Sequence, residues 1–336
     1  MPDARPRTDV AFAAGPMDLT SLTPEEYEMT KKTTSQVTNE ICASITDRIV
    51  ASLNEGVVPW RKPWKGGDSG LPSNAATGRQ YNGVNVWNLL LAAQYKGYSD
   101  PRWLTFRQAQ SKGGVVRKGE KAELAIFWKI IKRKSESTPG HDDNFAFLKA
   151  YRVFNVEQCD DLELPEVEVC EQVVDPITRG EQIIDGYAGE LAGGFSQGGS
   201  RAYYRPTDDS VRVPKIEKFE SAESFYSTVF HEFAHSTGHR SKNNRDGITN
   251  HGAFASHEYA REELVAEFGA SYICGVAGIE RDDSIAQSAA YIAGWKKKLA
   301  DDPRSIVVAA GQGEKAARRV LGRWPEEVEP EGKEES

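Results

Sequence analysis

The sequence HEFAH at residues 231–235 has the residue types and the spacing of a hydrolytic metal site. In a helix, residues four apart lie on the same face, about one turn from each other. His231 and His235 can therefore reach one zinc ion, with Glu232 beside them as a general base. Zinc lowers the pKa of bound water to about 7 and polarises carbonyls, so the motif predicts metal-assisted hydrolysis. The alternative is a buried amphipathic helix with incidental histidines.

A catalytic zinc site needs a third protein ligand, and the sequence YAREELVAEFGASYICG offers acidic candidates. Glu263 and Glu267 are four residues apart in an otherwise apolar helical pattern. This spacing suits one ligand and one partner that orients a histidine. We expect Glu263 to be the ligand; Glu262 is the alternative, because one step of helix rotation separates the two. His239 is disfavoured because it follows Gly238, where the helix is expected to end.

Several elements must position these side chains. Ser221 has the residue type of a helix N-cap, so the helix with the histidines is expected to begin after it. Apolar spacing predicts the glutamate-bearing helix over residues 259–275 and another helix over 285–299. The pattern of residues 200–219 predicts two short strands around a turn. We expect the second, SVRVP, to be an edge strand along which a peptide could pair.

The N-terminal half is basic and rich in tryptophan. Residues 34–135 contain sixteen Lys/Arg and seven Asp/Glu, a net charge of +9, which leaves −17 for the rest of the chain. A basic block in an acidic protein indicates a polyanion partner, although charge alone is as often a solvated surface. Five of the seven tryptophans fall in this half. Bases stack on aromatic faces while Lys/Arg follow phosphates, so the pattern predicts binding of single-stranded DNA.

The candidate DNA-binding residues combine aromatic and basic side chains from the loop PWRKPW onwards. They are Trp60, Arg61, Lys62, Trp64, Lys65, Arg79, Tyr81, Trp103, Arg107, Arg117, Lys118 and Lys121. The alternative is that the aromatics form the core of a small α+β domain, and we assign Trp87 and Trp128 to that core. Trp60 and Trp64 are harder to bury because prolines and glycines surround them.

Composition and patterning divide the chain into five segments. We predict a disordered extension over residues 1–32, a single-stranded-DNA-binding domain over 33–158, an acidic linker over 159–175, a metal-binding domain over 176–323 and a disordered acidic tail over 324–336. The first domain is expected to contain helices over 35–54, 84–95 and 106–111, then a hairpin of strands within 121–134 and 144–156. The fold class is therefore α+β, with a mostly helical second domain.

Composition also limits where the protein acts. It is 39% hydrophobic and 27% charged, as soluble proteins are. No apolar run approaches the roughly 20 residues that span a bilayer, so no membrane partner is expected. The N-terminus lacks the apolar core of a signal peptide, and none of the four cysteines forms a CxxC pair. We therefore expect a cytoplasmic protein with free thiols.

Residues 34–321 resemble the ArdC-like antirestriction proteins of plasmids and phages. The first part of the resemblance rests on PWRKPW, LPSNAATGRQYNGVNVWNL, GYSDPRWLTFRQA and GGVVRKGEKAELAIF. The second rests on FHEFAHSTGHRSKNNR, YAREELVAEFGASYI and AAYIAGWKKKLADDPR, and is similar to the metallopeptidase domain of polyvalent proteins of mobile elements. The same first module also heads some plasmid primases.

The resemblance implies a single-stranded-DNA-binding domain followed by a zincin-like metallopeptidase domain. It implies metal ligation by His231, His235 and a glutamate of EELVAE, with Glu232 as the acid/base. It also implies protection of incoming plasmid DNA from host restriction during conjugation. The sequence departs from the family pattern in its N-terminal extension, in its acidic tail, and in AAGQGEKAA, which places two glycines where a continuous last helix is expected.

The expected function is therefore a single-stranded-DNA-binding antirestriction protein with a metal-binding, peptidase-like domain. The alternative is a DNA-tethered zinc metalloprotease that cleaves proteins bound to DNA. The intact Glu232 favours this alternative, because a purely structural metal site needs no base. A nuclease is disfavoured, since two-metal nuclease sites use clustered carboxylates rather than HExxH.

Overall fold

The computed structural model describes residues 34–55, 71–134, 142–165, 175–249, 257–279, 302 and 304–322. The helices are α1 (Thr34–Asn54), α2 (Val84–Lys96), α3 (Phe106–Ser111), α4 (Pro176–Ala188), α5 (Ala222–Ser236), α6 (Asp246–Thr249), α7 (His257–Ala277) and α8 (Arg304–Leu321). The strands are β1 (Ser73–Asn74), β2 (Arg102–Thr105), β3 (Val115–Val116), β4 (Glu123–Lys134), β5 (Asp142–Asn155), β6 (Cys159–Asp160), β7 (Phe195–Gln197), β8 (Tyr203–Arg205) and β9 (Ser210–Val213). The predicted α+β class is confirmed. Within these ranges, no helix has the length and apolar character to cross a bilayer.

The N-terminal region is built on a four-stranded sheet with the order β1-β2-β5-β4. The predicted hairpin is β4–β5, an antiparallel pair in register from Glu123↔Val153 to Lys134↔Asp142. Strand β4 lies at the sheet edge, where unpaired backbone groups invite association with other chains. Helix α2 covers part of it: Asn85 Nδ2 donates to Ile126 O at 2.6 Å, and Ile126 N donates to Asn85 Oδ1 at 2.7 Å.

Helix ends follow the local signals of the sequence. Ser221 Oγ accepts a hydrogen bond from Ser224 N at 3.1 Å, so the predicted N-cap of α5 is confirmed. Helix α2 ends at Gly97, whose φ of 73° is a left-handed conformation that glycine adopts without strain. Thr105 and Gln108 form a capping box at the start of α3.

The C-terminal region contains a three-stranded sheet with the order β7-β9-β8. The SVRV strand β9 is central, parallel to β7 and antiparallel to β8. The prediction that it is an edge strand is therefore wrong, and the outer strands are β7 and β8. Strand β7 was not predicted, because FSQGG lacks the β-branched alternation by which strands are recognised.

Helices α5, α7 and α8 approach each other closely through small residues. A Cβ at Gly313 would lie 2.5 Å from Cβ of Phe268, and one at Gly269 would lie 2.8 Å from Cβ of Ala234. Only glycine permits these crossings. Helix α8 is continuous from Arg304 to Leu321. The glycines of AAGQGEKAA therefore do not interrupt the last helix, and one of them lets it pack against the glutamate-bearing helix.

One hydrophobic core extends across both predicted domains. Trp87 on α2 is buried, as predicted, and its ring centroid lies 5.5 Å from Phe268 and 4.8 Å from Tyr272 on α7. Two hydrogen bonds of 2.7 Å reinforce this contact: Tyr272 OH donates to Gly83 O, and Gly83 N donates to Glu314 Oε2. The two regions are packed together rather than only joined by a linker.

Some predicted features fall outside the described residues. These are the two ends that were predicted to be disordered, the predicted helix over residues 285–299 and residues 166–174 of the predicted linker. The first linker residues are described: Cys159 and Asp160 form β6, which pairs antiparallel with β3. The strand-forming part of the N-terminal region therefore extends two residues into the segment assigned to the linker.

Candidate functional site

Three side chains converge in the way that a metal ion requires. His231 Nε2 and His235 Nε2 lie 3.1 Å apart. One carboxylate oxygen of Glu263 lies 3.5 Å from Nε2 of His231, and the other lies 3.5 Å from Nε2 of His235. In a tetrahedral shell with bonds of about 2.0–2.1 Å, donor atoms are about 3.3 Å apart. The observed spacings match that shell, so these residues fit a metal ion without rearrangement.

The packing of two helices produces this geometry. The histidines are four residues apart on α5, so their rings share one face of that helix. Glu263 lies on α7, which crosses α5 where Gly269 meets Ala234. Both ligand-bearing helices are largely buried, which fixes the side chains at the crossing.

The remaining nitrogen of each imidazole faces another carboxylate. His235 Nδ1 lies 3.3 Å from Glu262 Oε1, and His231 Nδ1 lies 3.4 Å from Glu267 Oε1. A carboxylate at Nδ1 holds the proton there and leaves Nε2 free to coordinate a metal. Glu262, the alternative ligand of the sequence analysis, thus faces the Nδ1 side of His235.

Arg245 is a member of this cluster that the sequence analysis did not identify. Its Nε and Nη2 donate to the two oxygens of Glu262 at 2.9 and 2.5 Å. Its Nη1 donates to Thr237 Oγ1 at 2.7 Å, and its Nη2 also donates to Ala234 O at 2.8 Å. Arg245 is buried. It therefore fixes Glu262 against His235 and joins the end of α5 to α7.

Charge in the cluster favours a cation. Burial lowers the pKa of both imidazoles, but carboxylates outweigh it: Glu263 and Glu267 hold the pKa of His231 well above its usual value. Glu263 and Glu262 likewise raise the pKa of His235 to about 9. Burial raises the pKa of Glu263, yet the two imidazoles lower it further, so this carboxyl is ionised at neutral pH. Glu262 is also ionised, because Arg245 and His235 outweigh its burial and lower its pKa.

Other residues near the motif have different surroundings. Glu232 is buried on α5 beside His231. His239 lies past the end of α5, with Nδ1 2.7 Å from Ser241 Oγ, and is not part of the cluster.

A cavity of about 320 Å³ lies between the β8–β9 turn and the segment that follows α5. It is lined by Pro206, Thr207, His239, Arg240, Ile248 and Thr249.

A buried ion pair ties the small sheet to the segment that follows α5. Lys242 Nζ lies 2.8 and 2.9 Å from the two carboxylate oxygens of Asp209, and both side chains are almost completely buried. Tyr204 OH donates to the same carboxylate at 3.0 Å. These contacts fix the β8–β9 hairpin beside the metal-ligand helix.

The structure corrects two of the aromatic residues assigned to DNA binding. Trp103 is completely buried and Tyr81 is 4% exposed, so neither ring is available to stack on a base. Trp103 lies on β2 with its ring centroid 6.0 Å from Tyr98, as a core residue. The loop candidates Trp60, Arg61, Lys62, Trp64 and Lys65 lie outside the described residues.

The basic candidates lie nearer the surface. Arg107, Lys118 and Lys121 are exposed, and Arg79 is partly exposed in the loop between β1 and α2. Arg117 is also exposed but is paired with Asp160 at 3.2 Å and with Glu120 at 3.3 Å. Its charge is therefore partly neutralised within the protein.

Paired histidines on one helix, a glutamate from a following helix and a small sheet beside them define a zincin-like domain. Residues 184–312 match the family described as zincin-like metallopeptidase, MPTase-PolyVal. Residues 39–154 match the N-terminal domain of the anti-restriction factor ArdC.

Two solved structures are similar to this chain over most of its length. The metal-free crystal structure of the antirestriction protein ArdC from plasmid R388 is similar, with a TM-score of 0.65 and 36% identity over 83% of this chain and 96% of that one. The Mn(II)-bound structure of the same protein gives a TM-score of 0.66 with 36% identity, over 84% and 97% of the two chains. This chain belongs to the ArdC antirestriction family.

Three curated proteins are also similar to most of this chain. Two DNA primases TraC of Escherichia coli are 36% and 35% identical over 80% and 82% of this chain. The chain spans only 26% and 19% of their respective lengths. An uncharacterised protein, y4eC, of Sinorhizobium fredii is 33% identical over 86% of this chain and 94% of its own length.

Proposed function

We propose that this protein binds single-stranded DNA through its N-terminal region and protects incoming DNA of a mobile element from restriction. The observation that supports this most is membership of the ArdC antirestriction family. The net charge of +9 over residues 34–135 supports a polyanion partner. Three of the basic candidates, Arg107, Lys118 and Lys121, are exposed as such a partner requires.

Fluorescence anisotropy with labelled oligonucleotides tests DNA binding. We expect single strands to bind more tightly than duplexes, with an affinity that falls as salt rises, because bound phosphates release counterions. Reversing the charge at Arg107, Lys118 and Lys121 together should weaken binding and lower the salt slope by about 2, at roughly 0.7 for each phosphate that is no longer neutralised. Lys315→Glu, at an exposed position on α8, is the matched control. Unchanged affinity in the triple variant would exclude this surface.

We further propose that His231, His235 and Glu263 hold a divalent metal ion. Zinc is the expectation from the motif, and the Mn(II)-bound ArdC of R388 makes manganese the other candidate. A divalent ion supplies Lewis acidity and acidifies coordinated water. The donor spacing of 3.1–3.5 Å and the ionised carboxylates support the proposal. Glu232, buried beside His231, is the residue that would accept a proton there.

The second candidate function is a metalloprotease that acts on DNA-bound proteins. It is favoured by Glu232, a base that pure DNA binding does not require. The outer position of β8, whose Tyr203 is 36% exposed, leaves a strand with which a peptide could pair. The cavity of about 320 Å³ next to the β8–β9 turn adds room for a side chain.

Glu232→Gln separates the two functions. On the proposed function, the variant protects a transferred plasmid from a restricting host as well as wild type does, because protection depends on DNA binding. The measurement is the efficiency of conjugative transfer into restricting and non-restricting hosts, with metal content and DNA affinity as controls. A loss of protection with both controls unchanged would establish the metalloprotease instead.

A further inference from the structure

Base stacking requires an aromatic ring whose face is open to solvent. Among the described N-terminal residues, three aromatic side chains are largely exposed: Tyr95 at 53%, Phe106 at 49% and Phe127 at 46%. The Tyr95 hydroxyl is bound to the Glu55 carboxylate, which disfavours a phosphate there and leaves the two phenylalanines as candidates. The rings favoured by sequence, Trp103 and Tyr81, are buried. Isolated exposed apolar residues are common on protein surfaces, so exposure alone does not define a site. Whether the two phenylalanines belong to a DNA site therefore depends on the residues around them.

Loop 74–81 contacts Phe127 directly and is hydrogen-bonded to the helix that begins at Phe106. The Phe127 ring centroid lies 6.3 Å from that of Tyr81 and 5.2 Å from that of Tyr151, which meets it edge-on. Asn74 links this group to α3: its Nδ2 donates to Tyr81 OH at 3.4 Å and to Gln108 Oε1 at 3.1 Å. Phe106 is the first residue of the same α3. These contacts therefore link Phe127 to Gln108 of α3, the helix whose first residue is Phe106.

The charges around this loop are those of a polyanion site. Residues 71–82 contain Arg79 and no acidic residue, and α3 contains Arg107 and no acidic residue. Arg107 is directly adjacent to Phe106 and is exposed. Exposed aromatic rings together with Lys/Arg side chains are the combination that binds bases and phosphates of a single strand.

We propose that Phe106 and Phe127 are base-stacking residues of the single-stranded-DNA site, on the helix and the strand that loop 74–81 contacts. This inference rests on the proposed DNA-binding function and locates its aromatic contacts. It replaces Trp103 and Tyr81 in that role, and leaves Tyr81 as the support on which Phe127 packs.

The test uses full-length Phe106→Leu and Phe127→Leu variants, because leucine keeps apolar volume against Tyr81 and Tyr151 but has no aromatic face. We expect each to raise the Kd for a labelled oligothymidine about ten-fold, the lower part of the range for one stacked base. Tyr95→Leu is the matched control, since Tyr95 is 53% exposed and its hydroxyl bonds to the acidic Glu55 at 2.6 Å. An abasic oligonucleotide of equal length should bind all four proteins equally.

Several outcomes would overturn the inference. Wild-type affinity for oligothymidine in both phenylalanine variants would remove the stacking role while the DNA-binding function stands. An equal loss on the abasic strand would assign the residues to folding or phosphate placement, and thermal melting of each variant separates those two causes. If wild type binds no single strand, the proposed function fails and this inference fails with it.

Discussion

Glu263→Gln is expected to lower the affinity for a divalent metal about 100- to 1,000-fold. Glu263 is the carboxylate that lies 3.5 Å from both Nε2 atoms. Structural zinc sites bind the ion with about 10–16 kcal/mol, and on that scale one ligand of three or four accounts for roughly 3–4 kcal/mol. The amide has the same shape but no charge. The loss therefore reports coordination rather than packing, and isothermal titration of chelator-treated protein with zinc and with manganese measures it.

Substitution of the neighbouring glutamates should lower metal affinity less than substitution of Glu263 does. Glu267→Gln and Glu262→Gln change the partners of the Nδ1 atoms, and such outer contacts are worth about 10- to 100-fold in metal affinity. Glu217→Gln, at an exposed position, serves as the control and should bind metal as wild type does. If Glu262→Gln loses metal and Glu263→Gln retains it, the ligand assignment is reversed.

Arg245→Met tests the contact between Arg245 and Glu262, which holds Glu262 against His235. The substitution leaves Glu262 buried without its bidentate partner, and breaking a buried ion pair costs about 3–5 kcal/mol. We expect a lower Tm as well as weaker metal binding. Glu217→Gln, in contrast, should change neither.

The parts of the metal centre that were predicted from sequence are those fixed by local geometry. His231 and His235 share a helix face whatever surrounds the helix, because the helical repeat is fixed. The relation of Glu262, Glu263 and Glu267 to the two rings depends on the crossing of α5 and α7. A one-residue difference in helix rotation changes which glutamate faces the metal, so the sequence left two candidates open.

The features that sequence analysis missed depend on contacts between distant segments. Arg245 stands in the polar stretch SKNNR, which is typical of a surface loop, yet it is buried against Glu262. Trp103 was assigned to DNA because it lies among arginines, but its strand is inside the sheet. Burial is decided by neighbouring strands and helices, and neither charge nor aromatic content along the chain reports it.

Trp87 joins the N-terminal region to helix α7 of the C-terminal region. Trp87→Ala is expected to lower the free energy of unfolding by about 3–5 kcal/mol, the usual cost of removing a large buried aromatic side chain. Its ring packs on Phe268 and Tyr272 of α7, the helix that also contains Glu263. A cavity in the N-terminal region should therefore also destabilise the region that contains the His231–His235–Glu263 cluster, and both should unfold in one transition.

Thermal unfolding followed by two probes checks this: DNA binding for the N-terminal region, and release of bound metal for the C-terminal one. In wild type the two midpoints should coincide, and in Trp87→Ala both should fall together. Tyr95→Ala, on the same helix but 53% exposed, should shift either midpoint little. Two separate transitions, with metal release unchanged in Trp87→Ala, would mean that the regions behave as tethered domains. A shared transition would mean that the two regions fold as one unit, so the N-terminal region keeps a fixed position relative to His231, His235 and Glu263.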